Sequence, residues 1–134
     1  MTTISEIEGI GGVNADRLKA AGIDTVEELL REGGAAAGRR TLAGKTGIDE
    51  SRLLEWVNRA DLMRIKGVGS EFGDLLEAAG VDTVLELAQR NAANLHAKLA
   101  EVNEAKKMVR RVPSLSEVEG WIGEAGRLGA AVSH

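Results

Sequence analysis

One stretch of this chain is written twice. The segment Ile7-Glu8-Gly9-Ile10-Gly11-Gly12, running on to Leu30, recurs 58 positions later from Ile65-Lys66-Gly67-Val68-Gly69-Ser70 to Ala88, with 13 of 24 aligned residues identical. The identities fall on the glycines, on apolar residues at helical spacing and on the residues that start helices, so the unit repeated is a piece of supersecondary structure. Each copy reads as two helices joined by a turn of the form Gly-apolar-Gly. Glycine takes positive φ without cost and lets another backbone come close. The amides that follow open onto a helix N-terminus, where an anion is favoured. The same glycines also serve a plain tight turn between packed helices, and both readings stand at this stage.

Short-range signals complete each copy. Leu18 and Ala21 follow Ala15 at helical spacing, and Gly22 is placed for a left-handed cap. Thr25 with Glu28 has the spacing of a capping box, and Gly80, Thr83 and Glu86 repeat these devices in the second copy. Beyond the repeat, the segment from Asp49 to Ala60 aligns with that from Ser114 to Ala125 at an offset of 65, which superposes Trp56 on Trp121. The second copy therefore carries seven extra residues, around Asn103 to Arg111. Asp49 and Ser114 are candidate N-caps, and Glu117 completes a capping box with Ser114. Both tryptophans sit in apolar patterns and read as core anchors. Phe72, just after the second turn, reads either as a packing wedge or as an exposed apolar residue at a protein interface.

No run alternates strongly enough to demand a strand, so the expected fold is all-α, with two tandem repeats, residues 1–64 and 65–134, sharing or abutting one core. A single hairpin of short helices buries too little by itself. The run from Gly33 to Gly38 reads as a loose connection, and Met1 to Thr3 and Gly129 to His134 as fraying ends. With no cysteine, no signal peptide and no long apolar run, the expectation is a cytoplasmic chain that does not enter a membrane.

Charge and chemistry narrow the function. The net charge is −4, and each half of the chain carries −2, so neither half is a basic nucleic-acid arm. Aromatics make up 2% of the residues, which excludes stacking of bases on a row of aromatic side chains. His96 and His134 have no metal-site spacing, no nucleophile motif is present, and the glycines lack the third member of a dinucleotide fingerprint. An enzyme is not expected, and neither is a cofactor. The densest basic cluster is Lys106-Lys107-Met108-Val109-Arg110-Arg111. Helical spacing would set Lys107 with Arg110 or Arg111 on one face, to meet phosphates or an acidic partner; the alternative is a solvated helix end whose cations offset the dipole before Pro113. Arg39, Arg40 and Lys45 form a smaller cluster in the first copy.

Gly9-Ile10-Gly11 and Gly67-Val68-Gly69, each followed by a helix ending in Ala-Ala-Gly and then apolar-Asp-Thr-Val, resemble helix-hairpin-helix units. The runs Asn94 to Glu104 and Val109 to Ser114, with Trp121-Ile122, are similar to a bacterial and archaeal branch grouped as a helix-hairpin-helix domain of unknown function. The resemblance spans roughly residues 4–128. It implies binding of DNA, without sequence specificity, through hairpin amides on the sugar-phosphate backbone. By position, Gly9, Ile10, Gly11 and Gly12 would form one phosphate seat and Gly67, Val68, Gly69 and Ser70 the other; the basic cluster, with Lys106, Lys107, Arg110 and Arg111, is a second candidate contact read from the residues themselves. DNA-binding members follow the hairpin with a cation, whereas Val13 and Glu71 stand there in this chain. The expected function is therefore weak DNA binding by a non-enzymatic accessory protein, and the alternative is a module that docks another protein.

Overall fold

A computed structural model describes residues 2–133. It is all-helical. A 3-10 turn at Ile4–Glu6 precedes α1 (Gly12–Ala20), α2 (Val26–Gly33), α3 (Ala36–Thr46), α4 (Glu50–Leu62), α5 (Ser70–Ala78), α6 (Val84–Ala88), α7 (Ala92–Lys106) and α8 (Leu115–Leu128). Apart from an isolated bridge between Thr3 and Thr25, the described residues form no β structure. The chain divides into two compact units, residues 1–61 with 131–134, and residues 62–130.

In the first unit the cap spacing does what local chemistry predicts. After α1 the backbone reverses at Gly22, φ +90°; the Gly22 amide donates to the Lys19 carbonyl and the Ile23 amide to that of Leu18. These two bonds are the Schellman pattern, and they satisfy carbonyls the helix would otherwise leave bare. The Thr25 hydroxyl accepts from the Glu28 amide, and the Glu28 carboxylate accepts from the Thr25 amide, 3.1 Å each, a full capping box. Held by amide bonds from Asp24 and Thr25 and by the Thr25 hydroxyl, the Glu28 carboxyl lies below its ordinary pKa. Ile4, Ile7, Leu18, Ile23, Leu29 and Leu53 are fully buried, and Trp56 lies with them in the core.

Three local expectations change in this unit. The glycines at 33–38 are not a loose connection: α2 runs through Gly33 and α3 begins at Ala36. A Cβ on Gly33 would lie 2.7 Å from Val57 Cγ2, and one on Gly38 would collide with the Glu32 carbonyl oxygen, so these glycines permit close packing. The chain ends are tied down as far as they are described. Ile4 donates to the Asp24 carbonyl and Val26 to that of Thr2, while the Ser133 amide donates to the Gly34 carbonyl at 2.8 Å. Met1 and His134, also expected to fray, lie outside the described residues.

The second unit packs α8 on α6 and α7, and α5 on α7. Its core joins Leu62, Ile65, Leu75, Leu76, Leu87, Leu95, Leu99, Val118 and Trp121. After α5, Gly80 at φ +94° ends the helix by the same two bonds, Gly80 to Glu77 and Val81 to Leu76. Thr83 caps the Glu86 amide at 3.2 Å, and Ser114 forms a complete capping box with Glu117.

Candidate functional site

Both Gly-apolar-Gly turns fold the same way locally. Gly9 and Gly67 are in the left-handed region at φ +94° and +92°, and the following apolar residues, Ile10 and Val68, are driven into the core, 6% and 4% exposed. The amides of Ile10 and Val68 are used inside the turn, donating to the Ile7 and Ile65 carbonyls. What faces outward is the start of the next helix. α1 and α5 are N-capped by Gly11 and Gly69 without any side-chain hydrogen bond, whereas α2, α6, α7 and α8 all carry a side-chain cap. The first amides of α1 (Gly12, Val13, Asn14) and of α5 (Ser70, Glu71, Phe72) are therefore those a helix leaves without an internal acceptor.

The glycines divide into two kinds. Gly9 and Gly67 need positive φ, and each also lies under a tryptophan: a Cβ there would sit 3.4 Å from Nε1 of Trp56 or of Trp121. Gly11, Gly12 and Gly69 need neither. Gly11 and Gly69 have ordinary extended backbone, and a Cβ on any of the three would meet nothing within 4 Å. Sequence reasoning placed the tryptophans in the core but missed that they seal the turns, because Gly and Trp lie more than 40 positions apart. In the second unit α8 adds another tie, since the Lys66 amide donates to Glu124 at 3.0 Å.

The basic cluster departs from its expected form. α7 stops at Lys106, well before Pro113, because Lys107 takes the left-handed conformation at φ 51°. Asn103 then clamps the loop, its amide donating to the Val109 carbonyl at 3.0 Å and its Oδ1 accepting from the Val109 amide at 2.9 Å. Lys107, Arg110 and Arg111 consequently sit on a pinned loop and not on a helical face, while Lys106 is the exposed last residue of α7. That loop meets the second turn: Glu71 and Phe72 with residues Lys107 to Arg111 line a cleft of about 610 Å³. Within it Arg111 is committed to Glu117 through two bonds, 2.6 and 3.1 Å. Lys107 and Arg110 are exposed, and their side chains carry no ion pair among the described residues. Phe72 is half-buried against the core, so the packing reading of this residue is the one realised, and one edge still lines the cleft.

Arg39 also departs from the surface cluster read in the sequence. It is 4% exposed and donates to the carbonyls of Gly33 and Gly34 at 2.9 Å each, and to that of Ser133. Burial lowers its pKa, against the opposing pull of Glu50. Arg40 and Lys45 remain exposed.

The Arg111 hydrogen bonds, aided by the Ser114 amide, hold the Glu117 carboxyl at about 2, below its ordinary 4.5. A depressed carboxyl contributes stability that is complete above pH 4.5 and lost as pH falls toward 2. A pH titration followed by carboxyl NMR should show Glu117 still ionised at pH 3.5, when ordinary glutamates are protonated. In Arg111→Gln its midpoint should rise.

The fold and site define an all-helical protein with two glycine turns that leave helix-start amides uncapped, one beside a cationic cleft. The chain belongs to the family described as Domain of unknown function (DUF4332), whose model matches residues 8–128. It is also similar to a stretch of Halomucin from Haloquadratum walsbyi (strain DSM 16790 / HBSQ001), 29% identical over 110 residues. That match covers 82% of this chain and 1% of the length of Halomucin. No solved structure matches the chain. Among the described residues no helix is long and apolar enough to cross a membrane.

Proposed function

We propose that this chain is a non-enzymatic protein of two tandem helix-hairpin-helix repeats that binds DNA weakly, through its sugar-phosphate backbone and without sequence specificity. The observation that carries this reading is the glycine at the uncapped starts of α1 and α5; α3, another start without a side-chain cap, carries Ala35 instead. Gly11, Gly12 and Gly69 are required neither by backbone angle nor by packing within the chain. Their benefit lies outside it: a phosphate can reach the first amides of α1 and α5 with no side chain in the way. Lys107 and Arg110 lie beside the second of these seats, where they offset Glu71.

Fluorescence anisotropy of labelled duplex DNA at low and at physiological salt tests this reading. Binding should saturate at low salt and weaken steeply with added salt, each neutralised phosphate contributing about 0.9 to the logarithmic slope. The double substitution Gly11→Ala with Gly69→Ala should leave thermal stability within about 1–2 kcal/mol of the parent and lower affinity about tenfold. Lys107→Glu with Arg110→Glu should abolish binding at physiological salt without unfolding the chain. Absence of binding at low salt would reject the reading in favour of a protein-docking module. Val13, 68% exposed at the tip of the first turn, is the observation that favours this second function.

A further inference from the structure

The cleft of the second unit contains a stack that phosphate binding does not use. Trp121, 5% exposed, packs against Phe72 with ring centres 5.4 Å apart and planes tilted by 53°. On Phe72 lies the guanidinium of Arg111, 5.7 Å from the ring centre. Its two bonds to Glu117 fix the orientation of the guanidinium, yet the Arg111 side chain is 64% exposed. The result is a planar cation held over the half-buried Phe72, which packs in turn on the buried Trp121, with surface still open to solvent. Such a plane is a stacking partner for a nucleobase, and one platform needs no row of aromatics.

We propose that this cleft receives one unpaired nucleotide, its base stacked on Arg111, its phosphates on Lys107 and Arg110, and its base edge toward Glu71. The proposal rests on the DNA-binding reading above and deepens it, because it makes single-stranded or open DNA the preferred substrate of the second unit. Charge complementarity selects the occupant. Lys107 and Arg110 call for an anion, whereas Arg111, whose charge is answered by Glu117, is left to act through its face. Glu71 lines the same cleft, and a carboxylate there accepts a hydrogen bond from the ring N–H of guanine or thymine, a group that base pairing occupies in a duplex. An acid that weakens a pure phosphate seat thus gains a role. The Asn103 clamp on Val109 fixes the backbone from which Lys107 and Arg110 extend before any ligand arrives.

Anisotropy with short labelled single-stranded DNA, with the blunt duplex of the same length and with an acidic phenylalanine-bearing peptide decides the matter. The single strand should bind about tenfold tighter than the duplex. Arg111→Lys keeps the charge and loses the plane, so it should cost most of that preference while duplex affinity changes less than about twofold. Glu117→Gln gives the sharper sign. It removes a negative charge, so simple electrostatics would strengthen binding; loss of the locked guanidinium should weaken single-strand binding instead. Circular dichroism checks that both variants keep their helices. Equal affinity for the two DNA probes, or tighter single-strand binding by Glu117→Gln, would overturn the proposal while leaving backbone binding intact. Failure of both DNA probes would remove the DNA reading and this proposal together, and capture of the peptide alone would assign the cleft to a protein ligand.

Discussion

Replacing Arg39 with Met is expected to destabilise the first unit by about 2–4 kcal/mol. Exchange of a buried charge for an apolar side chain of similar length is often harmless when the partner is another charge that can be exchanged with it. Here the partners are backbone carbonyls, of Gly33, Gly34 and Ser133, and Met cannot satisfy them. Gly33 and Gly34 are buried, so water does not reach their carbonyls freely once the guanidinium is gone. Arg39→Lys should recover only part of the loss, since an ammonium cannot span acceptors spread as these are. Urea denaturation measures the cost. Hydrogen exchange supplies the local readout, because the Ser133 amide, bonded to Gly34 at 2.8 Å, should lose protection first. A variant as stable as the parent, with Ser133 still protected, would mean that the guanidinium bonds contribute nothing net.

Arg39 also shows where sequence reading stops. Written between Gly38 and Arg40, it looks like one member of a surface cluster, and nothing nearby marks it as buried. One of its acceptors lies 94 positions away. The features legible in the sequence are those whose physics is complete within a few residues: the Thr25 and Ser114 capping boxes, the left-handed stops at Gly22 and Gly80, and the apolar faces that bury Leu18, Leu76 and Trp121. The glycines at 33–38 were misleading for a related reason. Composition suggests flexibility, but the cause is the close approach of Val57 and of the Glu32 carbonyl, which only the folded chain reveals. The cationic loop fails at its first residue, because periodicity carries a helix past Lys106 and cannot foresee a left-handed Lys107 held by Asn103. Once that turn is made, Arg111 reaches Glu117 and Phe72, and the cleft exists. The glycine seats were legible as a pattern; the division between glycines the turn requires and those it does not was visible only in the structure.

Trp121→Ala should be more damaging still, costing about 3–5 kcal/mol in the second unit. The indole fills the core beside Val118, supports Phe72 at 5.4 Å and closes over Gly67, so its loss opens a cavity and releases both the turn and the platform above it. The milder Trp121→Phe isolates the contact with the turn. Gly67→Ala is disfavoured by its φ of +92°, whereas its Cβ, 3.4 Å from Trp121 Nε1, would make an ordinary contact. The backbone angle costs about 1–2 kcal/mol wherever it occurs. In a double-mutant cycle, Gly67→Ala should therefore cost nearly the same in the Trp121→Phe background as in the parent. Additive effects would show that backbone angle alone demands the glycine. A positive coupling would show that tryptophan and glycine act as a pair, with the turn that carries the Gly69 amides held in place by the core beneath it.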